Sequence, residues 1–234
     1  MNKIQLSRVN KCFGDKFCLK DINLEVNGGE IFAFIGANGS GKTTTIRIIL
    51  GLMEQESGYV NISNGGKSFS PKRIGLVLED EKPFEGLTPL EYLDFFTTYY
   101  SVNTKEKKEK IINVLKKFSL YEWRNKKIKH FSKGMKRQLT IAKAILHEPD
   151  IIIMDEPFEG ISPEIRKIIK DMLREFVNNQ KIVFLSTHNL DEAENFCSSF
   201  GIMKNGKFLG KWHTNDINTS LEDFYFDKTK ELLY

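Results

Sequence analysis

The sequence predicts an α/β protein, with a mixed, largely parallel sheet, an antiparallel β part and an inserted all-helical subdomain. Three observations along the 234 residues lead to this class. Short β-type runs alternate with turns up to about residue 79, apolar residues recur at helical spacing over residues 80–147, and strands alternate with helices over 148–234. Strands interleaved with helices imply a parallel sheet covered on both faces. We expect a single domain of residues 1–234.

The first part, residues 1–79, predicts strands and one helix. The first strands are predicted at IQLSRV, FCLKDINLEV and IFAFI. A glycine-rich turn follows, after which TTTIRIILGLM predicts a helix that ends at Gly51. Further strands are predicted at YVNIS and RIGLVLE.

The helical part, residues 80–147, begins with a capping signal. Thr88 and Glu91 form a capping box, with Pro89 at the first helical position, ahead of the run LEYLDFFTTYY. A second helix is predicted over KEKKEKIINVLKKF, and its apolar face consists of Ile111, Ile112, Leu115 and Phe118.

The last part, residues 148–234, returns to alternating strands and helices. IIIM predicts a strand, a helix is expected from Pro163 to about Val177, and KIVFLS predicts a strand that precedes another helix. The Asn205-Gly206 pair within MKNGKFL suits a type I′ turn and therefore predicts a hairpin.

The composition is that of an ordinary globular protein, with 40% hydrophobic and 28% charged residues. The apolar run at residues 151–154 is too short to cross a bilayer, which takes about 20 residues. No secretory signal is visible at the start. Three cysteines without CxxC spacing, Cys12, Cys18 and Cys197, predict thiols in a reducing cytosol, with a metal site as the weaker alternative.

Positive charge is concentrated in residues 101–130, which contain ten Lys or Arg and three Glu within a chain of net charge +4. Two interpretations are open: an anionic partner such as lipid headgroups or nucleic acid, or a solvated helix face. The solvated face is favoured, because no aromatic residues interleave with the cations at a spacing suited to base stacking.

Residues 36–43, GANGSGKT, match the P-loop pattern GxxxxGK[ST] between a predicted strand and a predicted helix. Glycines let successive backbone N–H groups point at phosphate oxygens. The Lys42 ammonium can then reach the β- and γ-phosphates, and the Thr43 hydroxyl can ligate Mg²⁺. The predicted phosphate site consists of Gly36, Asn38, Gly39, Ser40, Gly41, Lys42, Thr43 and Thr44.

Two carboxylates end the apolar run at residues 151–154. Many strands end in Asp or Glu, so this signal gains meaning only beside a P-loop. There, Asp155 can hold Mg²⁺ through its water shell, and Glu156 can orient and deprotonate an attacking water.

Ser132 and Gly134 lie at the start of a predicted helix with an apolar face. Ser132 is a natural N-cap, so a plain helix start is one interpretation. In the other, the hydroxyl, the Gly134 backbone and the positive helix end grip a γ-phosphate.

The order of these motifs resembles that of the ABC-transporter ATPases, which have a P-loop NTPase core. The P-loop is followed by the F-S-K-G-M helix start, by the strand ending in Asp155-Glu156, and by Ser186-Thr187-His188. The similarity runs from Phe13 to the hairpin near Leu209.

The resemblance implies that the protein binds ATP and Mg²⁺ and hydrolyses ATP to ADP and phosphate. Phe13 is expected to stack on adenine, and His188 to contact the γ-phosphate as a catalytic residue with Lys42 and Glu156. Ser132 and Gly134 would complete the site of a facing subunit, so hydrolysis would require a homodimer or a heterodimer.

Two positions depart from the family pattern. Glu79 stands where glutamine is usual; its carboxylate can still coordinate Mg²⁺ but adds negative charge beside the triphosphate. Ser162 stands where aspartate is usual and lacks the charge that helps to couple two sites, although it can cap the helix at Pro163. We expect these two changes to affect the rate of ATP turnover and the cooperativity between the two sites.

These features predict the ATPase subunit of an ABC transporter, peripheral on the cytoplasmic face of the cell membrane and driving a separately encoded permease. F-S-K-G-M resembles ABC-2 exporters, so export is expected. The alternative is a soluble ABC-type ATPase acting on ribosomes or DNA. A single ATPase domain disfavours the ribosome-linked group and the lack of a long heptad stretch disfavours the DNA-repair group, so no nucleic acid is expected. A P-loop kinase is disfavoured by Ser132, Gly134 and His188.

The segment 79–100 is the expected permease contact, because interfaces are enriched in aromatic residues. Five aromatics mark it: Phe84, Phe95, Phe96, Tyr99 and Tyr100. Most of these five should be core residues, and about a third should face a partner.

Overall fold

The computed structural model of the protein describes residues 1–64, 67–68, 70–102 and 104–230. Its strands are β1 (Asn2–Phe13), β2 (Phe17–Asn27), β3 (Ile31–Ile35), β4 (Ser57–Asn64), β5 (Lys67–Ser68), β6 (Ile74–Val77), β7 (Ile151–Asp155), β8 (Ile182–Thr187), β9 (Ser199–Lys204) and β10 (Lys207–His213). Its α-helices are α1 (Lys42–Ile49), α2 (Pro89–Tyr99), α3 (Thr104–Lys117), α4 (Lys133–Ile145), α5 (Pro163–Val177), α6 (Leu190–Phe196) and α7 (Leu221–Lys230). Short 3₁₀ helices lie at Pro71–Arg73, Tyr121–Trp123, Ile128–His130 and Thr214–Asp216.

The chain divides into two compact units, and the first comprises residues 1–69 and 176–234. Its strands are hydrogen-bonded in the order β5-β4-β1-β2-β10-β9-β3-β8. Pairing is antiparallel among β1, β2, β4 and β5, whereas β3 runs parallel to both β8 and β9. The mixed α/β sheet with an antiparallel part, predicted from the sequence, is therefore confirmed.

The centre of this first unit is apolar on both faces of the sheet. Every residue of β3 and of β8 is buried, which explains why β3 and the first four residues of β8 are continuous apolar runs and not alternating ones. The ring of Phe184 lies 5.0 Å from that of Phe32 and 5.7 Å from that of Phe34. Because Ile35 pairs with Thr187, the carboxyl ends of β3 and β8 lie at the same edge of the sheet.

The second unit comprises residues 70–175 and contains the parallel pair of β6 and β7. Their register runs from Ile74 opposite Ile151 to Val77 opposite Met154, so the segments after the two strands are neighbours. Helix α4 packs on β6, and a Cβ on Gly75 would lie 2.3 Å from the Ala144 carbonyl oxygen. Glycine at this position therefore permits the close approach of the helix to the strand.

The helices of the second unit begin and end near their predicted positions. The capping box of Thr88 and Glu91 is present at the start of α2, α3 buries Ile111 and Leu115, and Phe118 is buried just after α3 ends. Among the described residues between 80 and 147, all regular elements are helical. None of the helices in the described ranges is long and apolar enough to pass through a bilayer.

The predicted hairpin at Asn205-Gly206 is confirmed. The two residues have φ values of 48° and 75°, as a type I′ turn requires, and they connect the antiparallel strands β9 and β10.

The expectation of three thiols is wrong for two of the cysteines. Cys12 and Cys18 face each other across the antiparallel pair of β1 and β2 and form a disulfide. Spacing in the sequence did not suggest this bond, because the pairing arises from the hairpin register. Cys197 is buried and takes no part in this disulfide.

Candidate functional site

The P-loop joins the carboxyl end of β3 to the start of α1 in the first unit. Gly39 and Gly41 have φ values of 78° and 114°, in the region that favours glycine. A Cβ on Gly36 would lie 2.4 Å from the Met203 carbonyl oxygen, so a larger residue cannot fit without a backbone shift. Asn38 and Gly39 at the crest of the loop are exposed to solvent. The backbone conformation at Gly39 and Gly41 and the close contact at Gly36 thus explain why the motif has glycine at these positions.

Two side chains of the loop are buried and suited to a phosphate ligand. Lys42 is 6% exposed, and its Nζ donates hydrogen bonds to the carbonyl oxygens of Gly36 at 2.6 Å and Ala37 at 3.3 Å. Within the described residues, the buried Ser40 hydroxyl oxygen has no hydrogen-bond partner. A buried hydroxyl without a partner is costly unless a ligand satisfies it. The residues of the loop therefore fit a phosphate group.

The start of α1 provides further donors for an anion. Gly41, the residue before the helix, has no side chain that could cap it, and the first turn contains no acidic residue. The free N–H groups and positive dipole end of such a helix attract phosphate oxygens. Thr43 and Thr44 lie half-buried in this first turn. These features support the same site as the loop glycines.

Phe13 stands at the end of β1, on the hairpin closed by the disulfide. Its ring is 42% exposed and its centroid lies 6.4 Å from that of Phe17. The Phe17 ring in turn contacts the P-loop, since its Cζ would lie 3.1 Å from a Cβ on Gly41. An exposed aromatic face is thus available for stacking on a hairpin that packs against the loop.

His188 directly follows β8 and is exposed. Its neighbour Thr187 pairs with Ile35, the residue before Gly36. His188 and the P-loop therefore leave the sheet at the same edge of the first unit, as expected for two groups that serve one ligand.

In the second unit, the predicted carboxylates gather where β6 and β7 end. Asp155 is 1% exposed, whereas Glu156 is half-buried and has a φ of 46°. Such a φ is uncommon for a residue other than glycine and marks a backbone that its surroundings must hold. Glu79 lies shortly after the end of β6, the strand that pairs with β7, and is exposed.

The Glu79 carboxyl group has a pKa above its ordinary value. Partial burial is the largest cause, and the negative charges of Asp155, Asp80, Glu156 and Glu159 add to it. Within the described ranges, no three or more His, Cys, Asp or Glu side chains are grouped closely enough to bind a metal ion. Mg²⁺ is characteristically held by one or two carboxylates together with substrate phosphates and waters. Asp155 and Glu79 fit that role.

Replacement of Glu79 by glutamine is expected to raise the melting temperature at neutral pH, because the substitution removes a carboxylate that is partly buried and repelled by neighbouring negative charges. A carboxyl group with a raised folded-state pKa costs stability once it ionises. The gain should therefore shrink as the pH falls through that pKa and vanish below the ordinary value of 4.5. Thermal unfolding of variant and parent from about pH 4 to about pH 8 measures the difference.

Glu85→Gln is the matched control, because a hydrogen bond from Lys136 lowers the pKa of the Glu85 carboxyl group. This control should show no gain in melting temperature. ATPase turnover of Glu79→Gln should equal or exceed that of the parent. A complete loss of turnover would show that hydrolysis requires the Glu79 carboxylate.

A cleft of about 590 Å³ lies beside these carboxylates in the second unit, and the start of α4 forms part of its lining. Ser132 caps α4: its hydroxyl oxygen accepts a 3.2 Å hydrogen bond from the Met135 N–H, and the residue is exposed. A Cβ on Gly134 would lie 2.6 Å from the Gly160 carbonyl oxygen, so packing alone requires glycine there. The cleft-lining residues are Glu79, Asp80, Glu81, Lys82, Pro83, Glu85, Lys133, Lys136, Arg137, Glu156 and Glu159.

Arg137 is a site residue that the motifs did not indicate. It is 8% exposed on α4, and its guanidinium donates hydrogen bonds to the main-chain carbonyls beside the predicted catalytic carboxylates. In the sequence it stands among other cations near the helix start, where an exposed side chain is the usual outcome. Only the fold distinguishes it from them.

Comparison with known proteins agrees with this geometry. The family model for ABC transporters matches residues 19–159. An uncharacterized ABC transporter ATP-binding protein of Methanocaldococcus jannaschii is 36% identical over 215 residues, covering 92% of this chain and 79% of the relative. A Nod factor export ATP-binding protein I of Rhizobium etli is 31% identical over 222 residues, covering 93% of this chain and 70% of the relative.

A solved structure described as the ATP binding subunit of an ABC transporter is 32% identical, with a TM-score of 0.86. The match covers 97% of this chain and 99% of the solved one. From the P-loop geometry, the family match and these similarities together, the chain belongs to the ATP-binding subunits of ABC transporters, which are ATPases.

Proposed function

We propose that this ATPase hydrolyses ATP with Mg²⁺ between two subunits and thereby drives a separate membrane permease that exports its cargo. The observation that carries the two-subunit site is the exposed, serine-capped start of α4. Its hydroxyl, its N-terminal dipole and the absence of acidic residues in the first turn suit a γ-phosphate presented by another subunit. The facing subunit is a second copy or a related chain.

The P-loop binds the triphosphate in this proposal. Backbone N–H groups of residues 39–43 and the Lys42 ammonium neutralise the β- and γ-phosphates, while Phe13 stacks on the adenine ring. Mg²⁺, held by Thr43, Asp155 and Glu79, would neutralise the charge that develops on the phosphate oxygens. In this proposal, ATP binding depends chiefly on the P-loop.

Hydrolysis is assigned to Glu156 and His188. The Glu156 carboxylate takes a proton from a water whose oxygen attacks the γ-phosphorus, and the bond from that phosphorus to the β–γ bridging oxygen breaks. ADP and inorganic phosphate result. His188 donates a hydrogen bond to the γ-phosphate and helps to hold it in line.

The permease contact is assigned to the aromatic surface of residues 84–99. Three of its rings are exposed: Phe84 by 50%, Phe95 by 52% and Tyr99 by 59%. Two of them, Phe84 and Phe95, pack edge to face with 5.8 Å between their ring centroids. Exposed, clustered aromatics are typical of interface cores and hot spots. This surface would lie against a permease on the inner face of the cell membrane.

Export is the proposed direction of transport, because a relative named for Nod factor export shares 31% of aligned residues. The F-S-K-G-M start of α4 supports the same assignment.

Affinity purification of the tagged full chain from detergent-solubilised membranes tests the partner. A polypeptide with several apolar spans should co-purify, and Phe95→Ser should reduce its yield because the substitution removes an exposed ring from the contact. Tyr59→Ser is the matched control, since Tyr59 is 52% exposed in the other unit. Recovery of ribosomes or DNA in place of a membrane protein would contradict the transport function.

A further inference from the structure

The Arg137 guanidinium joins α4 to the carboxyl ends of β6 and β7. Its Nη1 donates to the Leu78 carbonyl at 2.6 Å, after β6. Its Nη2 donates to the carbonyls of Asp155 and, at 2.8 Å, Glu156, and its Nε donates to that of Pro157 at 3.2 Å. All four acceptors are main-chain atoms, so Arg137 acts on the course of the backbone.

These acceptors lie where the two strands leave the sheet. Each of these carbonyls accepts a hydrogen bond from the buried guanidinium, and the loss of such a bond in a buried place is costly. The same segment holds Glu156 at a φ of 46°, which a residue other than glycine adopts only when its surroundings fix it. A buried cation that binds three consecutive carbonyls provides such a constraint.

We propose that Arg137 is a positioning residue for ATP hydrolysis: it fixes the peptide segment that carries Asp155 and Glu156, and the strand end that leads to Glu79, against helix α4. The proposal rests on the roles proposed above for Asp155 and Glu156. Since Ser132 caps the same helix, one guanidinium sets the geometry of both the carboxylates and the helix start.

Only arginine can make this set of contacts. A planar guanidinium presents five N–H donors in a fixed fork, and here three of its nitrogens reach four carbonyls on two segments. A lysine ammonium keeps the charge but has a single nitrogen, so it cannot reach both Leu78 and Pro157. Arg137→Lys therefore preserves charge and removes the bridge.

Steady-state ATPase assays and nucleotide titration of the full chain test the inference. Arg137→Lys should lower kcat by about 100-fold, the effect of a displaced catalytic group. The ATP Kd should change by less than about threefold, since no P-loop residue is among the Arg137 acceptors. A kcat loss without a Kd loss separates positioning from general damage to the fold.

Asp150→Asn is the matched structural control. Asp150 lies just before β7 and forms an ion pair with Arg73, which lies just before β6. This ion pair is therefore at the end of the two strands opposite to the Arg137 acceptors. This variant should lose thermal stability while its kcat stays within about twofold of the parent. A loss in kcat equal to that of Arg137→Lys would overturn the inference, because strand stability alone would then explain both.

A double variant decides whether Arg137 acts through Glu156. Groups that work as one unit are not additive, so Arg137→Lys should lower the residual rate of Glu156→Gln no further. Additive losses, or a parental kcat in Arg137→Lys, would overturn the inference. Failure of both Arg137→Lys and Arg137→Gln to fold would also overturn it, since Arg137 would then be required for folding itself. If the proposed function itself is wrong, the result is different: Glu156→Gln will hydrolyse ATP at the rate of the parent.

Discussion

Replacement of Glu156 by glutamine is expected to reduce ATP turnover by about 10²–10⁴-fold while ATP binding persists. Glutamine has nearly the same shape but cannot accept the proton of the attacking water. The P-loop residues proposed to hold the phosphates lie in the other unit and are unchanged. Phosphate release and ATP titration on the same preparation measure the two quantities.

Glu159→Gln is the matched control for this variant. Glu159 lies three residues further along the chain, is exposed, and pairs with Lys133 at 2.7 Å. Its loss should leave turnover near that of the parent, because exposed ion pairs contribute little. Equal turnover in Glu156→Gln and the parent would exclude Glu156 as the general base.

Lys42→Ala is expected to lose nucleotide binding itself. In the proposed site the ammonium makes charge-assisted hydrogen bonds to phosphate oxygens, and removal of about 3 kcal/mol of such interactions should weaken binding by about 100-fold. The variant also loses the 2.6 Å hydrogen bond from Nζ to the Gly36 carbonyl, which helps to shape the loop. Isothermal titration calorimetry with ATP measures the affinity.

Arg47→Ala provides the control for this loss. Arg47 is an exposed cation in the last turn of the same helix, at the end remote from the P-loop. Its removal should leave the ATP affinity within about twofold of the parent, because exposed charges are screened by solvent and salt. Unchanged affinity in Lys42→Ala would contradict the phosphate site.

Much of the fold was predictable because its strands and helices carry strong local signals. The capping box at Thr88 starts α2, the run from Pro163 to Val177 is helical, and Asn205-Gly206 turns a hairpin. Each of these depends on residues close in sequence. Helix α7 has a weaker pattern and was not predicted, although it packs an aromatic cluster through Phe224 against Trp212 and Phe200.

The candidate site was predictable where one motif supplies a whole local structure. The P-loop glycines adopt the backbone that the pattern requires, and His188 leaves the sheet beside them. Long-range pairing was not predictable. The Cys12–Cys18 disulfide depends on strand register, and Arg137 finds its acceptors on segments far from it in sequence.

The aromatic segment shows the same limit. The five rings named above, Phe84, Phe95, Phe96, Tyr99 and Tyr100, suggested a mostly buried helix face with a minority of rings exposed to a partner. Three of the five are about half exposed, more than the expected third. Helical spacing indicates which rings share a face, but only the packing of neighbouring helices decides which face is covered.

Size-exclusion chromatography of Glu156→Gln with ATP and Mg²⁺ most directly tests the central claim, that the Ser132-headed helix of one subunit closes on the triphosphate of another. The variant should elute as a dimer with ATP and as a monomer without it. Addition of Ser132→Asp should abolish the dimer, because aspartate still caps α4 but places a negative charge against the γ-phosphate. A dimer that persists in the double variant, or a monomer in Glu156→Gln with saturating ATP, would contradict the claim.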